Sequence, residues 1–280
     1  MSTALLAALV DDAGLFPPEQ LAMVPALRRH AGDVAVGHPL LSHRFLCPTS
    51  RVAEALAALG DDERLDLALV ADTGVDGVGA AEALVAADAR VSIVAVECRL
   101  GLLQFPVDLP RLHGVVPLGA AVWVESGWGD DLPAALAGLA RDGTVGAKLR
   151  CGGVTQELFP SSRALAGAVQ LCARLGLPWK ATAGLHHAVR YTDRATGLRH
   201  HGYLNLLLAA ASAADGAGTE DLVAVLDSDD GVALVAQAIG LGSTQVARAR
   251  AAMVSYGSCS TSEPADEAVR LGLAPPVARV

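Results

Sequence analysis

Short apolar runs recur along this chain, and each gives way to a charged residue or a glycine turn before a helical stretch begins. The runs cover residues 5–10, 39–47, 65–71, 91–96, 120–124, 145–150, 178–183 and 222–226. Between them lie segments of helical character at 18–30, 80–87, 132–141, 162–175, 203–214 and 232–239, with another helix after Thr49 or Ser50, either of which suits an N-cap. Strands alternating with helices predict a parallel sheet. Eight such alternations in 280 residues predict a closed (β/α)8 TIM barrel.

Where the charge falls favours closure over an open sheet. Asp11, Asp72, Glu97, Glu125, Lys148, Lys180 and Asp227 each stand at or near the C-terminal end of an apolar run, where barrel enzymes keep their chemistry. An open doubly wound sheet gathers its ligand at one switch point instead. Neither GxGxxG after the first run nor GxxxxGK[ST] is present. The expected architecture is a single barrel domain over 1–253, followed by a C-terminal extension, 254–280, packed on it. The extension holds a turn-rich stretch, SYGSCSTSEP, that caps the barrel or lies across its mouth, and a short helix over 264–271.

Composition narrows the class. Hydrophobic residues make up 52% and charged ones 18%, so a large core is available and disorder is not expected. A net charge of −9 with no basic block argues against nucleic acid. Five widely spaced cysteines without a CxxC indicate neither a zinc knuckle nor a disulfide framework, which fits a reducing cytoplasm. The apolar start lacks a basic flank and is cut short by Asp11 and Asp12, so neither a signal peptide nor a membrane span is expected. The expected partner is a small molecule; self-association through helix faces stays open.

The chemistry concentrates on VGAKLRCGG (145–153) and PWKATAGLHH (178–187). As strands, these put Lys148 and Arg150 on one face with Gly146, and Lys180 on one face with Thr182. A lysine inside a barrel either pairs with carboxylates or loses its proton. Beside another cation its amine becomes a nucleophile toward carbonyls. Arg150 and Lys180 are expected to give Lys148 that push, or to grip an anionic group of the substrate. Cys151, beside Arg150, is a lesser candidate nucleophile.

The segments KLRCGG at 148–153 and KATAG at 180–184 resemble the paired lysine strands of class I aldolases, in particular the deoxyribose-phosphate aldolases. The resemblance covers about a dozen residues and the barrel topology. It implies a Schiff-base lysine on the sixth strand, Lys148 by position, with Lys180 as its neighbour. Late phosphate-gripping glycine motifs are absent and LDSDDG (226–231) is acidic, so the substrate is expected to be non-phosphorylated.

Around the lysines, Glu125 is the favoured proton carrier, because its strand adjoins that of Lys148 and its face-mate Trp123 is apolar. Asp11, Asp72, Glu97 and Asp227, together with Arg44, are expected to bind substrate or balance charge. His186 is a candidate acid or base and His187 a candidate substrate contact, both on a loop long enough to act as a lid. The expectation is a Schiff-base lyase acting on a small carbonyl and carboxylate metabolite, with no cofactor. Two alternatives stand beside it. One is an acid–base or metal-assisted isomerase or hydrolase, whose carboxylates suit Mg²⁺ or Mn²⁺. The other is a barrel that binds a ligand without catalysis.

Overall fold

The computed structural model describes residues 2–102 and 108–277. Eight parallel strands form the staves of a closed barrel. Seven come first in the chain: β1 (Val10–Asp12), β2 (Leu41–Pro48), β3 (Leu65–Val70), β4 (Val91–Arg99), β5 (Ala121–Glu125), β6 (Val145–Arg150) and β7 (Trp179–Thr182). A two-stranded antiparallel hairpin, β8 (Tyr191–Thr192) and β9 (Arg199–His200), lies apart from the ring. The eighth stave is β10 (Met253–Ser258), which pairs with β7 on one side and β1 on the other.

The helices are α1 (Ser2–Leu6), α2 (Met23–Val36), α3 (Val52–Ala58), α4 (Gly74–Ala86), α5 (Asp108–Val115) and α6 (Leu132–Asp142). They continue as α7 (Ser162–Leu175), α8 (Tyr203–Ala214), α9 (Thr219–Asp227), α10 (Gly231–Gly240), α11 (Ser243–Ala252) and α12 (Ser262–Arg270). Several ends follow directly from local chemistry. The Ser161 hydroxyl accepts from the Ala164 amide at the start of α7, and the Asp230 carboxylate accepts from the Val232 and Ala233 amides at the start of α10. Gly37, Gly143 and Gly176 close α2, α6 and α7 in the left-handed conformation that glycine adopts freely. No described helix is long and apolar enough to cross a membrane.

Two expected strands are replaced. The run at 5–10 is mostly the end of α1 and a turn, and only Val10 to Asp12 pair as a stave. Leu5, Leu6 and Leu9 are buried all the same. The run at 222–226 is the body of α9, with Leu222 and Leu226 buried one helical turn apart. An apolar run of five reads equally as a buried strand or one face of a short helix. The stave assigned to it comes from the expected extension, whose boundary at 253/254 runs between the first two residues of β10. Within that segment Ser262–Arg270 form α12, against an expected helix over 264–271, and residues 278–280 lie outside the described residues.

Burial follows the two faces of the staves. Outward side chains meet the helices in one continuous core that includes Phe45, Trp179, Tyr203 and Tyr256. Inside the ring a second, smaller apolar cluster joins Ala13, Leu46, Ala68, Ala95 and Trp123. Gly146 makes room for it: a Cβ there would lie 2.2 Å from the Trp123 ring. On β4 and β5 the ionic residues Glu97 and Glu125 follow this cluster along the strand, whereas on β1 and β2 Asp11 and Arg44 precede it.

Candidate active site

The ionic interior is one chain of alternating charge, contributed by β2, β1, β7, β4, β6 and β5. Arg44 on β2 donates to Asp11 Oδ1 at 2.7 Å, and Asp11 Oδ2 accepts from Lys180 Nζ at 2.6 Å. Lys180 also pairs with Glu97 Oε1, and Glu97 Oε2 lies 2.8 Å from Lys148 Nζ. Lys148 reaches Glu125 Oε2 at 2.9 Å, and Glu125 Oε1 accepts from Arg150 Nε at 2.8 Å with Arg99 Nε at 3.5 Å. Ser42 and Ser255 add hydroxyl donors to Asp11 at 2.6 and 2.8 Å.

Register explains the convergence. Lys148 is the Cα partner of Lys180 across β6 and β7, and Glu125 is the partner of Lys148 across β5 and β6. Arg99 is the partner of Glu125 across β4 and β5. Partners in register present their side chains to the same face, so one row across β4 to β7 gathers four of these groups inside the ring. Beyond it, the loops after β6 and β7 touch backbone to backbone. A Cβ on Gly152 would meet the Gly184 Cα at 2.9 Å, and Gly184 is itself left-handed at φ +74°.

The environment fixes most charge states. Burial alone would raise the Asp11 carboxyl, but Lys180 and Arg44 outweigh it and hold it at about 2. Glu97 is likewise held low, with burial overcome by Lys148 and Lys180, and Glu125 by Lys148 and Arg150. Lys180 is fully enclosed; burial would lower it, yet Asp11 and Glu97 raise it, so it stays an ammonium. Glu97 stands between the amino groups of Lys180 and Lys148, one on each of its oxygens.

Burial decreases along the chain toward the mouth. The side chains of Glu97 and Lys180 are 0% and 2% exposed, Lys148 is 8%, Arg150 is 20% and Arg99 is 60%. Lys148 is thus the amino group nearer the solvent side, within reach of two carboxylates. A cleft of about 200 Å³ lies at the opposite end of the barrel, bounded by Trp123, Thr144, Gly146 and Pro178, and carries no charged side chain.

No family model matches the chain, and no curated protein or solved structure is significantly similar to it. The reading of the site therefore rests on its own residues. Among those expected from the sequence, Lys148, Lys180, Glu125, Glu97, Asp11, Arg150 and Arg44 belong to the one chain of contacts. Asp72 binds the hydroxyls of Thr49 and Ser50 next to β3. Asp227 does not end a strand. It is the last residue of α9, bonded to Ser162 at 2.7 Å and paired with Arg190 at 3.2 Å.

His186 and His187, adjacent in sequence, reach successive turns of α12. His186 Nδ1 lies 3.3 Å from Glu263 and 4.0 Å from the Cys259 sulfur, and His187 Nδ1 lies 3.2 Å from Glu267. Burial lowers the His186 imidazole, while the Glu267 hydrogen bond raises that of His187. Cys151 is fully buried and its thiol is pushed up to about 12, which removes it as a nucleophile. Among the described residues no three of His, Cys, Asp and Glu come together in a way that could hold a metal ion.

Arg99, Ser255 and Ser42 were not legible as site residues. Arg99 sits two residues beyond Glu97 on the same face, and a strand read through Cys98 would have found it. Ser255 was hidden because its segment read as a tail.

Proposed function

We propose that the barrel is an enzyme that forms an imine between Lys148 and a small, non-phosphorylated carbonyl substrate bearing a carboxylate, and uses it to make or break a carbon–carbon bond. The observation that carries this reading is the meeting of two lysine amino groups on opposite oxygens of the single buried carboxylate of Glu97. Packing alone does not call for charge here, since replacing a buried ion pair by apolar side chains of similar volume is often neutral or stabilising.

In this reading Lys148 passes a proton to Glu125 or Glu97 and its neutral amine adds to the carbonyl carbon. The carbinolamine then loses water, with the same carboxyl returning its proton to the departing hydroxyl. The resulting iminium accepts the electron pair of the adjacent carbon–carbon bond, while a base takes the proton of the β-hydroxyl and an aldehyde leaves. Protonation of the enamine and hydrolysis of the imine regenerate the amine. Lys180 remains charged throughout and holds Glu97 and Asp11 in place, so that Glu97 faces the cationic iminium without having to reorient.

The test is reductive trapping. Borohydride added with pooled small aldehydes and ketoacids is expected to add the reduced substrate's mass to the peptide containing Lys148, and to leave that of Lys180 unmodified. No adduct at residue 148 with any carbonyl, alongside retained turnover of a substrate found by metabolite screening, would turn the assignment toward acid–base chemistry at Glu97 and Glu125.

A further inference from the structure

We infer that Arg99 and Arg150 form a carboxylate-binding pair at the mouth, and that the substrate's carboxylate takes the place now held by Glu125, releasing Glu125 to accept the Lys148 proton. The inference rests on the imine reading for its consequence, though the anion site itself does not.

The ionic chain is unbalanced. It links five cations, Arg44, Lys180, Lys148, Arg150 and Arg99, to three carboxylates, Asp11, Glu97 and Glu125, an excess of two positive charges. That excess lies at the open end. Arg99 and Arg150 are the last residues of β4 and β6, on either side of β5, and both aim their Nε at one oxygen of Glu125.

Donors exceed acceptors there as well. Each guanidinium carries five N–H groups in a fork that matches a carboxylate. Beyond Glu125, the Arg150 fork adds a 3.4 Å contact to the Gly152 carbonyl and no other among the described residues. Its backbone is anchored by Trp128 Nε1, which donates to the Arg150 carbonyl at 2.7 Å, so the fork has a fixed root. Two half-filled forks converge on a position where a carboxylate already sits.

Glu125 is therefore the ligand-free occupant of the pair. Held by the arginines it is a poor base toward Lys148, 2.9 Å from its other oxygen. An incoming carboxylate that satisfies both guanidiniums frees Glu125 of that hold. The Lys148 N–H bond then breaks as the Glu125 O–H bond forms, and the amine is generated only when an anionic substrate is present.

The experiment compares trapping of glyoxylate, of the neutral glycolaldehyde, and of glycolaldehyde phosphate by wild-type protein. Glyoxylate is expected to label residue 148 at least about tenfold faster than glycolaldehyde, the scale of one charge-assisted contact. Added formate should restore much of the rate with glycolaldehyde, and should fail to do so in Arg99→Gln and Arg150→Gln. Equal rates for the charged and neutral carbonyls, or no response to formate, would overturn the inference. Activation by inorganic phosphate or preference for the phosphate ester would overturn the carboxylate assignment. If nothing labels residue 148, the imine reading fails, and the site is still decided by titrating formate against ¹⁵N-arginine protein. Saturable shifts of two side-chain Nε–H signals support the pair; unmoved signals refute it.

Discussion

Lys148 and Lys180 are direct partners in register on adjacent staves, and their amino groups bind opposite oxygens of the same carboxylate. Their surroundings differ by one neighbour: Lys180 is shared with Asp11 deep in the ring, Lys148 with Glu125 nearer the mouth. The difference gives them unequal weight in stability, and it is measurable. Lys180→Met leaves Asp11 and Glu97 buried with fewer cations to hold them, and is expected to cost about 3–5 kcal/mol in urea unfolding. A change below about 1 kcal/mol would mean that the buried chain does not depend on this ammonium.

His201 makes stability pH-dependent on its own. Arg190 Nη1 donates to His201 Nδ1 at 3.0 Å, which leaves Nε2–H to donate to the Pro160 carbonyl at 2.9 Å. The ring is therefore neutral, and burial holds it down at about 4 against an ordinary value near 6.5. As pH falls the unfolded chain takes up this proton first, so stability is full above about 6.5 and is lost on the way down to 4. The expected loss is about 3 kcal/mol. Unfolding curves at pH 7 and pH 5 should diverge for the wild type and diverge less for His201→Gln, in which His38, His43 and His186, also lowered by burial, still contribute.

A second acid step comes from Asp11. Its carboxyl is held at about 2, so its contribution is present above the ordinary carboxylate value and is lost only as pH falls toward 2. Circular dichroism across pH 4 to 1.5 should show further destabilisation in the wild type, weakened in Asp11→Asn at the expense of lower stability at neutral pH.

Gly146 tests the apolar cluster inside the ring. A methyl there meets the Trp123 ring and the Pro178 carbonyl, at 2.2 and 2.9 Å from the new carbon. Gly146→Ala is expected to destabilise by about 1–3 kcal/mol through overpacking. Unchanged stability with unchanged tryptophan fluorescence would show that Trp123 moves aside freely.

The thiols give a simpler check. Cys47, Cys98, Cys151 and Cys172 are buried, each pushed up to about 12 by that burial, and Cys259 is raised as well. A thiol reagent at pH 8 should react slowly with the native protein and with five equivalents after denaturation.

Both lysine strands were legible because charge interrupts an apolar run at a spacing that only a stave explains; β6 matches its expected limits and β7 falls within its own. Most of the charged residues of the site came from the same signal, charge where a strand should end. The eighth stave was not legible for a reason tied to its position. Its inner face carries Ser255, which serves Asp11, and Gly257, where a Cβ would approach Leu46 to 3.2 Å, so small and polar residues stand where an apolar pattern was sought. Leu222 and Leu226 supplied the missing pattern nearby, but on a helix packed against the deeply buried α8. The pairing of His186 and His187 with α12 was hidden too, since it depends on a fold-back across some 80 residues.

The order of the ring has a consequence for synthesis. β1 leaves the ribosome first, yet its neighbour β10 is among the last segments to follow, and two of the donors to Asp11 come from residues 169 and 244 positions downstream. Until they arrive the nascent sheet is open, with Asp11 held only by Arg44 and Ser42 of the neighbouring β2. Closure, and with it the assembled pocket, waits for β10 to be translated.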